Sequence, residues 1–170
     1  MHIIILAAGM GTRLNKGKPK SLTKLSNGES ILGRQINALL NYIDKKDITI
    51  VVGYKKNMIQ EKYPDYSFVF NDNYKRTNTA KSLLYALDSK KLNSDIIWLN
   101  GDVVFDSKIL KSIFELEESS MLVNTNSVSD EEVKYNINDD GTINEVSKNI
   151  QDGLGEAVGI NKILRSDLKE

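Results

Sequence analysis

The chain has 170 residues, no cysteine and a single histidine, and its 23 Lys and Arg balance 23 Asp and Glu. That length fits one domain with its own hydrophobic core. Without thiols there is no disulfide framework and no thiolate metal site. The lone His2 leaves little scope for histidine chemistry, and formal neutrality argues against the broad basic face that nucleic acid requires. No signal peptide or apolar run of membrane-spanning length is apparent, so a soluble cytoplasmic protein without membrane attachment is expected.

In chain order, Ile3 to Ala8 is a continuous aliphatic run of the kind buried on both faces of a parallel sheet. His2 begins it and is expected at the surface. The run breaks into a loop in which Ala7, Ala8, Gly9 and Gly11 carry almost no side chain, so backbone N–H groups can approach a phosphate and the glycines can adopt positive φ. Between Met1 and Gly28 there is no Asp or Glu, while Arg13, Lys16, Lys18, Lys20 and Lys24 all fall there. A local concentration of cations on a neutral chain points to a compact polyanion. Neither of two familiar phosphate loops fits. Five residues separate Gly11 from Gly17, and Pro19 stands where the Walker hydroxyl should be; Leu14 replaces the third glycine of the dinucleotide fingerprint.

Further along, Asn27-Gly28 reads as a turn, and Ser30 can cap a helix whose apolar face runs from Ile31 to Ile43. A strand over Asp47 to Gly53 follows, then a short helix through Met58 and Ile59 that stops before Pro64, and a strand at Phe68-Val69-Phe70. Asn78 to Leu87 is a helix opened by capping residues, and Asp95 to Asp102 a strand ending in a carboxylate. Strands and helices alternate at βαβ spacing, which predicts a doubly wound α/β fold with the ligand crevice beyond the strands' carboxyl ends, where Gly9, Gly53 and Asp102 fall. The last third differs. A helix through Ile109 to Leu116, capped by Asp106, leads to a strand at Met121 to Val123. Two short strands then flank Asp139-Asp140-Gly141 as an antiparallel hairpin, and a final strand covers Gly155 to Ile163.

The run Leu6-Ala7-Ala8-Gly9-Met10-Gly11-Thr12-Arg13, followed by Pro19-Lys20, resembles the opening signature of the nucleotidyltransferases that join a nucleoside triphosphate to a phosphorylated small molecule. Within that superfamily the chain is most similar to the cytidylyltransferases of the CTP:phosphocholine and CTP:phosphoglutamine type, and next to the sugar-1-phosphate enzymes. The resemblance implies a Rossmann-like three-layer α/β/α fold with a mostly parallel mixed sheet and a small antiparallel hairpin. It also implies Mg2+ as cofactor, CTP as the favoured nucleotide, and a phosphorylated small polar acceptor as partner. By the same resemblance Arg13 and Lys20 are catalytic, and Asp102 is the metal carboxylate of a Gly-Asp pair. Leu6, Ala7, Ala8, Gly9, Gly11, Thr12, Gly53, Asn78 and Ser82 hold the nucleotide, and Lys148 and Glu156 face the acceptor. A second metal carboxylate in the family follows the last core strand; Asp167 falls where the next helix should begin, so a domain short of its C-terminal end is expected. The rival expectations are a sugar-1-phosphate enzyme using UTP, GTP or dTTP, and a regulatory module that binds nucleotide without chemistry. Oligomeric state is not legible.

Overall fold

A computed structural model describes residues 1–11, 17–90, 92–126, 129 and 131–168. Its centre is β1 (His2–Ala7), every residue of which is buried. The pleat sends alternate side chains to opposite faces. Ile3, Ile5 and Ala7 enter one core with α1 (Ile31–Leu39), α2 (Lys56–Lys62) and α4 (Lys108–Glu115), through Leu32, Ile36, Leu39, Ile59, Leu110 and Ile113. Ile4, Leu6 and Ala8 enter the other, closed by Ala86 of α3 (Thr79–Lys90). Two apolar layers flanking one sheet are why the first strand has no polar face.

The remaining strands are β2 (Ile48–Val52), β3 (Ser67–Phe70), β4 (Ile96–Asn100), β5 (Ser120–Asn124), β6 (Lys134–Ile137), β7 (Ile143–Ser147) and β8 (Gly155–Ile163). They lie in the order β3-β2-β1-β4-β8-β6-β7, with β5 also paired to β8. Parallel pairing joins β3, β2, β1 and β4, and antiparallel pairing joins β8 to β4, β5 and β6. The fold is therefore the expected doubly wound three-layer type with a mixed sheet, its parallel part built from the first hundred residues. From β1 the chain moves outward to β2 and β3 on one side, then returns to place β4 on the other. The carboxyl ends of β1 and β4 thus flank a topological switch point, where a crevice opens.

Several local signals are realised. Ser30 Oγ accepts from the Gly33 N–H at 3.1 Å and caps α1, Gly28 closes its turn at φ +83°, and the Asp106 carboxylate accepts from the Lys108 N–H at 3.0 Å before α4. The apolar stripe of α1 was expected to reach Ile43, but the helix ends at Leu39; Ile43 packs on the core from a turn whose N–H bonds to Leu39 O at 3.1 Å. The β6–β7 hairpin forms the sheet edge, turning through Gly141 at φ +83°.

His2 is not at the surface. It is 9 % exposed, and its Nε2 is 2.8 Å from Thr49 Oγ1 on β2. Burial holds its pKa below the ordinary 6.5, with Lys90 and the N-terminus acting in the same direction against Asp47. The unfolded chain therefore binds a proton as pH falls through 6.5 while the folded chain still resists it, so stability is lost in that window. Urea unfolding between pH 7.5 and 5.5 should show a decline that His2→Gln flattens; an identical pH slope in the two proteins would contradict this.

β8 bulges where it pairs with β5, and a bulged strand bends there. Val123 pairs with Ala157 but Met121 with Asn161, so β8 carries extra residues across the register shift. Gly159 lies there at φ +77°, and a Cβ on it would be 2.2 Å from Asn100 Nδ2. Both the backbone conformation and the space demand glycine. Gly159→Ala should cost about 1–3 kcal/mol in denaturant unfolding, and a cost near zero would show that the bend relaxes freely.

Candidate active site

The crevice at the switch point is a cavity of about 360 Å³ whose floor is Leu6, Ala7, Ala8 and Gly9. Each side chain there is small or turned into the core, which leaves the main chain exposed to a ligand. Gly11, at φ +56°, brings the returning loop against Lys20; a Cβ at Gly11 would lie 2.8 Å from Lys20 Cβ. Pro19 sets φ at −54° and leads into a tight turn over Lys20–Leu22 in which Ser21 and Leu22 are buried. Its neighbours are anchored in the core, so the Lys20 side chain projects into the cavity.

Asp102 enters from the other side. The Gly101 N–H bonds to Leu6 O at 2.9 Å and zips the end of β4 onto β1. Lys20 Nζ donates to Asp102 Oδ2 at 2.6 Å, and the side chains are 39 % and 38 % exposed. Among the described residues that line the cavity, Lys20 is the one cation and Asp102 the one anion. Two residues 82 positions apart in sequence therefore meet across the crevice as a charge pair open to solvent.

The opposite wall comes from Tyr74 and the start of α3. Asn78 Oδ1 caps that helix by accepting from the Lys81 N–H at 3.1 Å, which leaves its amide N–H groups for the cavity. Ser82 is buried and its Oγ accepts from Asn71 Nδ2 at 2.9 Å; the same amide donates to Thr77 Oγ1 at 2.8 Å. Asn71 is wholly buried, its Oδ1 has no hydrogen-bond partner among the described residues, and its two donated bonds make it a polar post behind Thr77 and Ser82. Its position just after β3 gave no sign of this from sequence.

Of the expected nucleotide residues, Leu6, Ala7, Ala8, Gly9, Gly11, Asn78 and Ser82 line this cavity with Lys20 and Asp102. Gly53 does not. A Cβ there would meet Tyr74 Cβ at 2.7 Å and Ala8 O at 2.9 Å, so Gly53 permits β2 to close on the loop from behind. Thr12 and Arg13 lie outside the described residues.

A second cavity of about 470 Å³ adjoins the first, sharing Thr79 and Asn100, with Trp98, Met121, Val133 and Val146 among its largely apolar walls. Lys148 and Glu156 line neither cavity. Lys148 is exposed in the turn after β7. Glu156 stands on β8 opposite Lys134 and Asn124, its pKa raised by burial and by the neighbouring Glu132 carboxylate. No group of three His, Cys, Asp or Glu side chains gathers to hold a metal ion among the described residues. A single carboxylate facing a cavity floored by main chain nevertheless suits a hard divalent ion, which takes one or two carboxylates and completes its shell with substrate phosphate oxygens.

A small-residue loop, Lys20 after Pro19 and Asp102 just beyond β4 meet at the switch point of a Rossmann-like three-layer fold. The chain belongs to the MobA-like NTP transferase domain family, which matches residues 3–165. It is 34 % identical over 103 residues to the bifunctional protein GlmU of Ruthia magnifica, covering 61 % of this chain and 22 % of that protein. It is likewise 34 % identical over 116 residues to the 2-aminoethylphosphonate cytidylyltransferase of Lancefieldella rimae, covering 65 % of this chain and 46 % of the relative. The chain thus spans less than half the length of these curated relatives. Among solved structures, the inositol-1-phosphate CTP transferase of T. maritima superposes with a TM-score of 0.76 at 19 % identity, over 97 % of this chain and 71 % of that one. Among the described residues no helix is long and apolar enough to cross a membrane.

Proposed function

We propose that the domain transfers CMP from CTP to a small acceptor bearing a phosphate or phosphonate, with release of pyrophosphate. The observation that carries this is the Lys20–Asp102 pair across a cavity floored by main chain. An acceptor oxygen attacks the α-phosphorus, the new P–O bond forms as the bond to the β-phosphate oxygen breaks, and pyrophosphate departs in line. No covalent nucleophile is needed, which suits a chain without cysteine and with its one histidine buried on the sheet. Lys20 brings a point charge to the α-phosphate, where negative charge builds in the transition state. Arg13 is assigned to the phosphates because its guanidinium can fork across two oxygens.

Asp102 is the residue that would hold a divalent ion, Mg2+ in this proposal, which when bound supplies charge neutralisation to the phosphate oxygens. The Thr79, Asn78 and Ser82 wall faces the base, its amide and hydroxyl groups matched to the polar edge of a pyrimidine. The acceptor comes in from the side of Asn100 and Thr79, where the two cavities join. Support for CTP comes from that polar wall and from the cytidylyltransferase relative.

Pyrophosphate release is the test, with CTP, UTP, GTP, ATP and dTTP each crossed with phosphocholine, phosphoethanolamine, 2-aminoethylphosphonate, phosphorylated amino acids and sugar-1-phosphates. Turnover with CTP and one of the non-sugar acceptors is the expected result. Turnover only with a sugar-1-phosphate and another nucleotide would overturn the acceptor and base together.

A further inference from the structure

Gln35 does not line the nucleotide cavity, yet it is tied to the segment that carries Asp102. It lies within the apolar stripe of α1 among Ile31, Leu32, Ile36 and Leu39, and is 1 % exposed. Its Nε2 donates to Asn100 O at 2.9 Å and to Val103 O at 2.8 Å. An amide nitrogen has two N–H bonds, and both are spent on carbonyls that bracket Gly101-Asp102. Arg34, one residue earlier, donates from Nη2 to Phe105 O at 3.3 Å. The turn is closed internally by the Val103 N–H on Asn100 O at 3.2 Å. Three carbonyls between positions 100 and 105 therefore answer to the middle turn of α1.

Packing alone does not account for a glutamine here. Burying an amide is costly unless it is fully hydrogen-bonded, and Gln35 Oε1 has no hydrogen-bond partner among the described residues. A leucine or methionine would fill the same space without that cost. What only the amide provides is a two-pronged hold on the main chain on either side of Asp102.

We propose that Gln35 is the positioning residue for Asp102: through the Asn100 and Val103 carbonyls it fixes where the carboxylate meets the triphosphate, and so sets the affinity of the site for its divalent ion. This rests on the assignment of Asp102 as the metal-holding carboxylate. Outer partners that orient a metal ligand typically contribute about 10–100-fold to metal affinity. The backbone hold acts on the carboxylate and not on the base wall, so CTP binding without metal should be left unchanged.

The experiment is Mn2+ binding to the protein–CTP complex, followed by electron paramagnetic resonance, with CTP affinity in EDTA measured in parallel. Gln35→Met keeps the length and apolar character of the side chain and loses both donors. It should weaken Mn2+ binding by about 10–100-fold while CTP binding in EDTA stays within about twofold. A folded Gln35→Met protein with unchanged Mn2+ affinity would overturn the proposal, as would equal losses in Mn2+ and metal-free CTP binding. Should Gln35→Met not fold, Gln35→Leu decides, since it is equally apolar and has no donor: its Mn2+ affinity should fall by the same about 10–100-fold with metal-free CTP binding kept, and unchanged Mn2+ affinity would overturn the role. Asp102→Asn is the control that separates two failures. Weak Mn2+ binding in Asp102→Asn with normal binding in Gln35→Met removes Gln35 alone, whereas normal binding in Asp102→Asn removes the metal assignment and the Gln35 role with it.

Discussion

Asp102→Asn is expected to reduce metal-dependent pyrophosphate release by about 10²–10³-fold or more, the scale of losing one preorganised electrostatic contact to a transition state. The substitution keeps shape and hydrogen-bonding capacity but removes the charge that a hard cation requires. Stability should scarcely change, because the pair with Lys20 is roughly two-fifths exposed and such pairs contribute about 0–1 kcal/mol. The geometry adds a sign that a simple loss of function would not show. In the ligand-free protein Lys20 is committed to Asp102 at 2.6 Å, and a triphosphate must draw it away. Asp102→Asn releases that competition and removes a negative charge from the cavity, so CTP binding in EDTA should be as tight as in the parent or tighter. Isothermal titration with and without Mg2+ checks both arms. Retained turnover, or a matching loss of metal-free CTP affinity, would take Asp102 out of its assigned role.

What could be read from the chain beforehand follows the range of the forces involved. The continuous apolar run of β1, the periodic faces of the helices and the turns at Gly28 and Gly141 are local patterns, and they were legible. Asp102 was legible as an acid following an apolar run, although β4 ends at Asn100 and Asp102 stands in the turn beyond it. His2 was misjudged because burial at a strand's first residue depends on β2 and its Thr49 hydroxyl, 47 residues away. Gln35 reads from sequence as a polar interruption of an amphipathic helix, and only the carbonyls of Asn100 and Val103 show why it is there. Asn71 was invisible for the same reason, since its value lies in reaching Thr77 and Ser82 at once. Placing β8 between β4 and β6, with β5 also against it, needs long-range antiparallel pairing that no single stretch encodes. That is why Lys148 and Glu156 could be named from a motif and still line neither cavity.

Lys20→Ala tests the other half of the charge pair, and its kinetic signature is specific. An ammonium that meets the α-phosphate where charge develops stabilises the transition state more than the bound triphosphate, so kcat should fall by about 10²–10³-fold while KM for CTP rises far less. The fold predicts why a substitute cation will not restore the rate. The Lys20 stem packs against Gly11, where even one added carbon would lie 2.8 Å from Lys20 Cβ, so the side chain leaves the loop along a fixed line. Lys20→Arg keeps the charge but presents a planar fork in place of a compact point charge, and should recover CTP binding more fully than kcat. Stopped-flow pyrophosphate release at saturating CTP and acceptor separates the chemical step from binding. A loss confined to KM in Lys20→Ala would show that the lysine only holds the nucleotide; full recovery of kcat in Lys20→Arg would show that any cation at the end of β1 suffices, and the assigned contact at the α-phosphate would have to be given up.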